Sequence, residues 1–271
     1  MLKILSVALV AITVTLSGLT ARAADFEKGL DAARAGDYAT ALSEWEPLAE
    51  QGHADAQYKL GIMYGNGFGV PKDDVEAVRW YRLAAEQGNA SAQFNLGARY
   101  TNGWGVPKDA VEAVRWYRLA AEQGLASAQN NLGTMYEDGS GVLKDDIEAV
   151  RWYRLAGEQG YATAQNNLGV MYDNGRGVPK DAVEAVRWYR LAAEQGLAST
   201  QYNLGLMYAN GLGVLKDLVF AHMWSNIAGA NGHENAPELR DSLERKMTSE
   251  QIAEATRQAR VCMSSGYSDC D

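Results

Sequence analysis

The stretch E-A-V-R-W-Y-R-L-A-A-E-Q-G, from Glu76 to Gly88, decides how the chain is read. It returns unchanged from Glu112 to Gly124 and from Glu184 to Gly196. From Glu148 to Gly160 it returns with Gly157 in place of Ala. The spacing is 36 residues each time. Self-similarity at a fixed period of this size marks a solenoid, because one unit cannot bury its own apolar face and stacked neighbours must cover it.

Outward from that stretch, each unit resolves into two helices. In 54–88, Ala56, Leu60, Gly61 and Tyr64 fall at helical spacing and define a first amphipathic helix. Asn66-Gly67-x-Gly69 ends it, since Asn and Gly tolerate the left-handed conformation of a helix C-cap. Pro71 stiffens the loop, and Asp73-x-x-Glu76 reads as a capping box opening the second helix. The same pair recurs as Asp109/Glu112, Asp145/Glu148 and Asp181/Glu184, so these acids have a structural use rather than a catalytic one. On the second helix Ala77, Tyr81 and Ala84 form one stripe, with Trp80 beside it. Trp116, Trp152, Trp188 and Trp224 repeat that position, and all five are assigned to packing. Glu76 with Arg79, and Arg82 with Glu86, are expected helix-face ion pairs.

The ends depart from the pattern. Residues 24–52 lack the full motif and read as an N-terminal capping helix pair with a turn at Gly36-Asp37. Five units fill 53–232. In the fifth, Leu215 stands for the Pro, Phe220 for the capping Glu, and Ala221-His222-Met223-Trp224 for A-V-R-W. A terminal repeat makes a different interface, so this change is expected. Residues 233–271 hold two further capping boxes, Asn235-x-x-Glu238 and Thr248-x-x-Gln251, opening helices that close the stack, followed by a tail. Cys262 and Cys270 lie there. An oxidising compartment favours their pairing, and the alternative is a buried helix thiol beside a loose tail thiol.

Residues 1–23 read as a secretory signal: Lys3, an apolar run over Ile4 to Leu19, then Ala21-Arg22-Ala23 as the cleavage site. The alternative is an uncleaved anchor. Cleavage predicts a periplasmic or secreted protein with no membrane insertion afterwards. It also removes Lys3 and Arg22, taking the formal charge of the 271-residue chain from −9 to −11. An acidic chain lacking clustered Lys and Arg excludes nucleic acid as a partner.

The unit A-x-A-Q-x-x-L-G-x-M-Y-x-N-G-x-G-V-x-K-D-x-x-E-A-x-x-W-Y-x-x-A-A-E-Q-G, fullest over Ala162 to Gly196, resembles the Sel1-like repeat, a relative of the tetratricopeptide repeat. The resemblance implies an all-α, right-handed α-solenoid of antiparallel helix pairs that works as a protein- or peptide-binding adaptor, scaffold or regulator. Some bacterial members regulate envelope signalling systems. Other secreted members, with a Cys pair in every repeat, are linked to β-lactam binding; no repeat here contains Cys.

No nucleophile elbow, phosphate loop, H-E-x-x-H or C-x-x-C occurs. Glu137-Asp138-Gly139 and Asp173-Asn174-Gly175 lack the downstream ligands of a calcium loop and read as helix-ending turns. His53 and His233 fall at inter-unit turns, where exposure is expected, and His222 is assigned to packing. No metal or cofactor and no enzyme activity is expected, and a β-lactam or peptidoglycan hydrolase is the least favoured reading.

Binding is where the copies point. On the first helices one stripe holds Lys59 and then Asn95, Asn131, Asn167 and Asn203, one Asn per repeat. In tetratricopeptide-like folds the first helices line the concave surface, where an Asn amide can donate to and accept from a bound extended peptide. The alternative use of each Asn is to satisfy a neighbouring helix. A second candidate is the variable loop position Phe68, Trp104, Ser140, Arg176, Leu212, with Phe68 and Trp104 as exposed anchors for a partner. The alternative is packing on the adjacent loop. The expected function is therefore an envelope scaffold or regulator that binds protein, or else a secreted factor that binds a surface protein of another cell.

Overall fold

The computed structural model describes residues 24–270, so the signal-peptide reading of residues 1–23 lies outside the described residues. Two helices, α1 (Phe26–Arg34) and α2 (Tyr38–Glu50), form the N-terminal pair. Five like pairs follow: α3 (Ala54–Asn66) with α4 (Asp74–Glu86), α5 (Ala90–Asn102) with α6 (Ala110–Glu122), α7 (Ala126–Asp138) with α8 (Asp146–Glu158), α9 (Ala162–Asn174) with α10 (Ala182–Ala193), and α11 (Ala198–Asn210) with α12 (Leu218–Ala230). Two helices, α13 (Ala236–Glu244) and α14 (Ser249–Ser264), both pack on α12. Each helix from α2 to α12 packs on the next, so the described residues form an α-solenoid.

The cores are handed from unit to unit. Each Trp inserts between its own first helix and the second helix of the unit before it: Trp116 lies among Ala77 and Ala84 of α4 and Leu96 of α5, and Trp152 among Ala113 and Ala120 of α6 and Leu132 of α7. All five motif tryptophans are buried. Within a unit, the Gly of the Leu-Gly pair lets the Tyr ring of the second helix lie flat on the first. A Cβ at Gly61, Gly97, Gly133 or Gly169 would stand 2.5–2.8 Å from the ring of Tyr81, Tyr117, Tyr153 or Tyr189. The second Gly of each Gly-x-Gly has a positive φ. Its backbone rests on the start of the preceding second helix, where a Cβ at Gly105 would fall 2.0 Å from the Asp74 carbonyl oxygen.

A glutamine relay stitches the units together. Gln93, buried, donates through Nε2 to the Ala85 carbonyl at 3.1 Å, and Gln123 donates to Gln93 Oε1 at 2.8 Å. Gln57/Gln87, Gln129/Gln159, Gln165/Gln195 and Gln201/Asn231 repeat the arrangement. These amides give a second donor to carbonyls in the last turn of each second helix, which also accept from the N–H of the Gly that ends it.

Three expectations about helix caps and helix-face pairs change. Asp73, Asp109, Asp145 and Asp181 do cap their helices, each accepting from two backbone N–H groups, but Glu76 and its equivalents do not return the bond. Their carboxylates are taken by Arg79, Arg115, Arg151 and Arg187 one turn on. Asn235 makes no side-chain cap, while Thr248 and Gln251 form the full box. Arg82 does not pair with Glu86. Its Nη2 donates instead to the Tyr100 hydroxyl of the next unit at 2.8 Å, and Arg118–Tyr136 and Arg154–Tyr172 repeat this.

The C-terminal end is closed. Cys262 and Cys270 form a disulfide with their Cα atoms 4.5 Å apart. The loop it closes places the Tyr267 hydroxyl within 2.8 Å of Asn231 Nδ2. His222, buried, holds Glu244 Oε1 at 3.0 Å through Nε2. His53 is exposed and stacks on Phe26, whereas His233, expected to be exposed, is half-buried in a stack on Tyr202 with ring centroids 4.2 Å apart.

Candidate protein-binding faces

The first-helix side carries the asparagine ladder. Asn95, Asn131, Asn167 and Asn203 are all half-buried, one per repeat. In the middle repeats the preceding position is also Asn, and the pairs connect across the seam. Asn130 Nδ2 donates to Asn131 Oδ1 at 3.3 Å, and Asn167 Nδ2 donates to Asn130 Oδ1 at 3.2 Å. Asn166 Nδ2 donates to Asn167 Oδ1 at 3.4 Å, and Thr200 Oγ1 donates to Asn166 Oδ1 at 3.0 Å. The result is a chain of amides along α7 and α9, ended by the Thr200 hydroxyl of α11. Sequence reasoning found its Asn131 and Asn167 links and missed Asn130, Asn166 and Thr200. The signal available was the N-N doublet, which replaces Tyr58 or Phe94 with a polar residue in two adjacent copies. Lys59, at the N-terminal end of the same stripe, is half-buried with its ammonium 5.6 Å from the Tyr58 ring centroid.

The loop positions are used unequally. Phe68 stacks on Tyr38 of the N-terminal pair at 4.9 Å and stays 38% exposed. Trp104 is 53% exposed, with the Arg99 guanidinium 5.7 Å from its ring. Arg176 turns inward: it donates to Glu137 Oε1 at 2.8 Å and to Asp146 Oδ1 at 3.1 Å. Arg99, buried where the other copies have Met, likewise pairs with Asp74. Hydrogen bonding to Asp146 holds the Arg176 guanidinium above the usual arginine range. Beside it, burial and the bond donated to Glu137 at 2.6 Å push the Tyr153 hydroxyl well above an ordinary phenol. Every charge in this cluster is answered by an opposite charge or a donor, so it supports structure and leaves no activated acid or base.

On the second-helix side, shallow grooves of 330, 370 and 370 Å³ recur at equivalent places on α4, α6 and α8. Among the described residues no group of three or more His, Cys, Asp or Glu is placed to hold a metal ion, and no helix is long and apolar enough to cross a membrane.

The family model described as the Sel1 repeat matches residues 54–89, 90–125, 126–161, 162–197 and 198–233. A Sel1 repeat protein from Oxalobacter formigenes is similar in structure, at 35% identity and a TM-score of 0.77, over 87% of this chain and 99% of that one. So is c5321, a protective antigen present in uropathogenic Escherichia coli strains and displaying an SLR fold, at 33% identity and a TM-score of 0.76. That match covers 91% of this chain, which spans 57% of the antigen's length. No curated protein matches the chain. Five contiguous matches in phase with the wedge tryptophans, and a solved relative of nearly the same extent, place the chain in the Sel1 repeat family.

Proposed function

We propose that this chain is a non-enzymatic scaffold or regulator of the bacterial cell envelope that binds an extended protein segment along its first-helix face. Sel1 repeat proteins are generally protein-interaction scaffolds. The observation that supports this use of the face is the ladder: an Asn at one register in four successive repeats, two of which, Asn131 and Asn167, are linked across the seam through Asn130. Each amide has a donor and an acceptor, and the internal bonds of 3.2–3.4 Å are long, so an incoming backbone can replace them at little cost. Phe68 and Trp104 add apolar anchors at the loop edge, while Arg176 is spent on Glu137 and Asp146 within the chain.

The test is crosslinking in cells with a photoreactive residue at position 131, followed by identification of the captured protein. The double substitution Asn131→Ala/Asn167→Ala is expected to abolish capture by that protein in pull-down while the melting temperature stays within a few degrees. Unchanged capture, or loss of folding, overturns the use of the ladder.

Likeness to c5321 favours a second reading, a surface-exposed or secreted factor, because that relative is a protective antigen. Recovery of the protein in culture supernatant rather than in the periplasmic fraction selects it. Turnover of a chromogenic β-lactam or of muropeptides would instead reinstate the hydrolase.

A further inference from the structure

The grooves on the second-helix side are a separate surface, and the chain contains its own example of what fills one. In the first, Val75, Val78 and Leu83 supply the floor, Val106 of the next loop one wall, and Arg79 and Arg82 the rim. Val75 and Leu83 are 66% and 36% exposed, and the equivalent Val111/Leu119 and Ile147/Leu155 pairs are open to similar degrees. On α12 the same positions carry Met223 for Arg79 and Ile227 for Leu83, and both are fully buried. There α14 lies over the helix. Its Ala259 and Cys262 share a core with Met223 and Ile227, and Met223 lines a cleft with Arg257, Gln258 and Val261. The last groove in the row is therefore occupied by an amphipathic helix whose buried positions, Ala255, Ala259 and Cys262, are small.

The open grooves differ from the filled one in charge. Where α12 has Met223 and Asn226, α4 has Arg79 and Arg82. Arg79 is answered by Glu76. The half-buried guanidinium of Arg82 has only the Tyr100 hydroxyl, and Arg118 and Arg154 have only those of Tyr136 and Tyr172. Glu86 lines the same groove one turn further along α4, so the cationic end is the Arg82 end. A hydrogen-bonded carboxylate there would complete a pair that the chain leaves open.

We propose that these grooves dock an amphipathic helix of a partner protein, seated as α14 is seated on α12, with small aliphatic residues inward and a carboxylate at the place of Arg257, which lies by Met223, one turn from the position of Arg82, and so within reach of that guanidinium. This extends the continuous α12–α14 contact onto the rest of the second-helix face, and it is independent of the asparagine ladder.

Two peptides spanning 249–264 test it, both with Cys262→Ala and both held helical by a lactam joining Ser249→Lys to Ala253→Glu on the exposed side. One keeps Arg257 and the other carries Arg257→Glu. Their binding to the full chain is read by fluorescence anisotropy at low salt. The Arg257→Glu peptide is expected to bind saturably and about tenfold more tightly than the other. The triple variant Leu83→Glu/Leu119→Glu/Leu155→Glu, which alters all three grooves, should weaken it by about tenfold or more at an unchanged melting temperature. If that variant melts early, Val75→Glu/Val111→Glu/Ile147→Glu, at still more exposed positions, replaces it. Asn131→Ala/Asn167→Ala should leave binding unchanged. No binding by either peptide, equal or tighter binding of the Arg257 peptide (displacement of α14 from α12), or binding indifferent to the groove variants overturns the proposal.

Discussion

Gly133 on α7 lies flat against the ring of Tyr153 on α8, so closely that a Cβ at Gly133 would stand 2.8 Å from Tyr153 Cδ1. The ring is buried and has no room to retreat. Gly133→Ala is therefore expected to destabilise the protein by ~1–3 kcal/mol despite the better helix propensity of Ala. At the equivalent Gly205 the aromatic is replaced by Ser225, whose Oγ is the nearest atom, at 3.0 Å. Gly205→Ala should cost less than Gly133→Ala, and thermal denaturation of the two variants decides it. Equal losses would mean that the ring contact is not what requires glycine.

Gly157 is the one departure from Ala in the returning stretch. Ala85, Ala121 and Ala193 occupy the same place, buried against the next unit's Trp. A Cβ at Gly157 meets Trp188 at 3.2 Å, a contact the other units already accommodate. Gly157→Ala should stabilise the protein by ~0.5–1 kcal/mol, the helix preference of Ala over Gly. A lower melting temperature would show that the third interface is tighter than its copies.

Four wedge tryptophans, Trp80, Trp116, Trp152 and Trp188, bury an indole N–H that has no acceptor. Trp116→Ala opens a cavity and should cost ~3–5 kcal/mol. Trp116→Phe keeps most of the apolar volume and removes the unpaired donor, whose burial costs ~1–3 kcal/mol. Its loss should be less than half that of the Ala variant, as read by denaturant unfolding. A Phe variant as weak as the Ala variant would show that the indole N–H contributes favourably.

Burial, reinforced by the bond to Glu137, holds the Tyr153 phenol neutral far above the ordinary tyrosine range, and burial with Asp173 nearby does the same for Tyr189. Tyr81 and Tyr117 are shifted the same way, again chiefly by burial. A proton bound more tightly in the folded state gives stability that is complete below the unfolded value of about 10. That stability drains away as pH climbs past it. The melting temperature should fall above pH ~10, and the slow rise in tyrosinate absorbance should coincide with loss of helical circular dichroism. Ionisation of all tyrosines without loss of helix would contradict this.

The fold was legible because its signals are local and repeated: Gly at helix ends, Asp at helix starts and one Trp per period. The partners of Arg82 and Gln93 were not. An Arg four residues before a Glu on one helix reads as an intrahelical pair, yet the Tyr100 hydroxyl in the next unit is a partner that no single-helix pattern can reveal. A Gln in an amphipathic repeat reads as surface, while Gln93 is buried to satisfy a carbonyl of the preceding helix. Of the first-helix face, the sequence displayed Asn131 and Asn167. It concealed that Asn130 and Asn166 join them, because that link depends on how far one unit turns relative to the next.

Near-identical units suggest a chain that could lose or gain a repeat and close up again, since each glutamine relay finds the same carbonyl on any neighbour. The arginine pairs forbid that freedom. Asp74 is answered by Arg99 of the following unit, and Asp146 by Arg176 of the following unit. Deleting 90–125 would bring Met135 to Asp74 and leave the acid only the exposed Lys72 of its own unit; deleting 126–161 would set Arg176 against Ala110 and Thr101, with no acid at either place. The repeats look interchangeable by their packing but two of them are addressed by their charges, so losing either 90–125 or 126–161 breaks an ion pair between units as well as removing a layer of core.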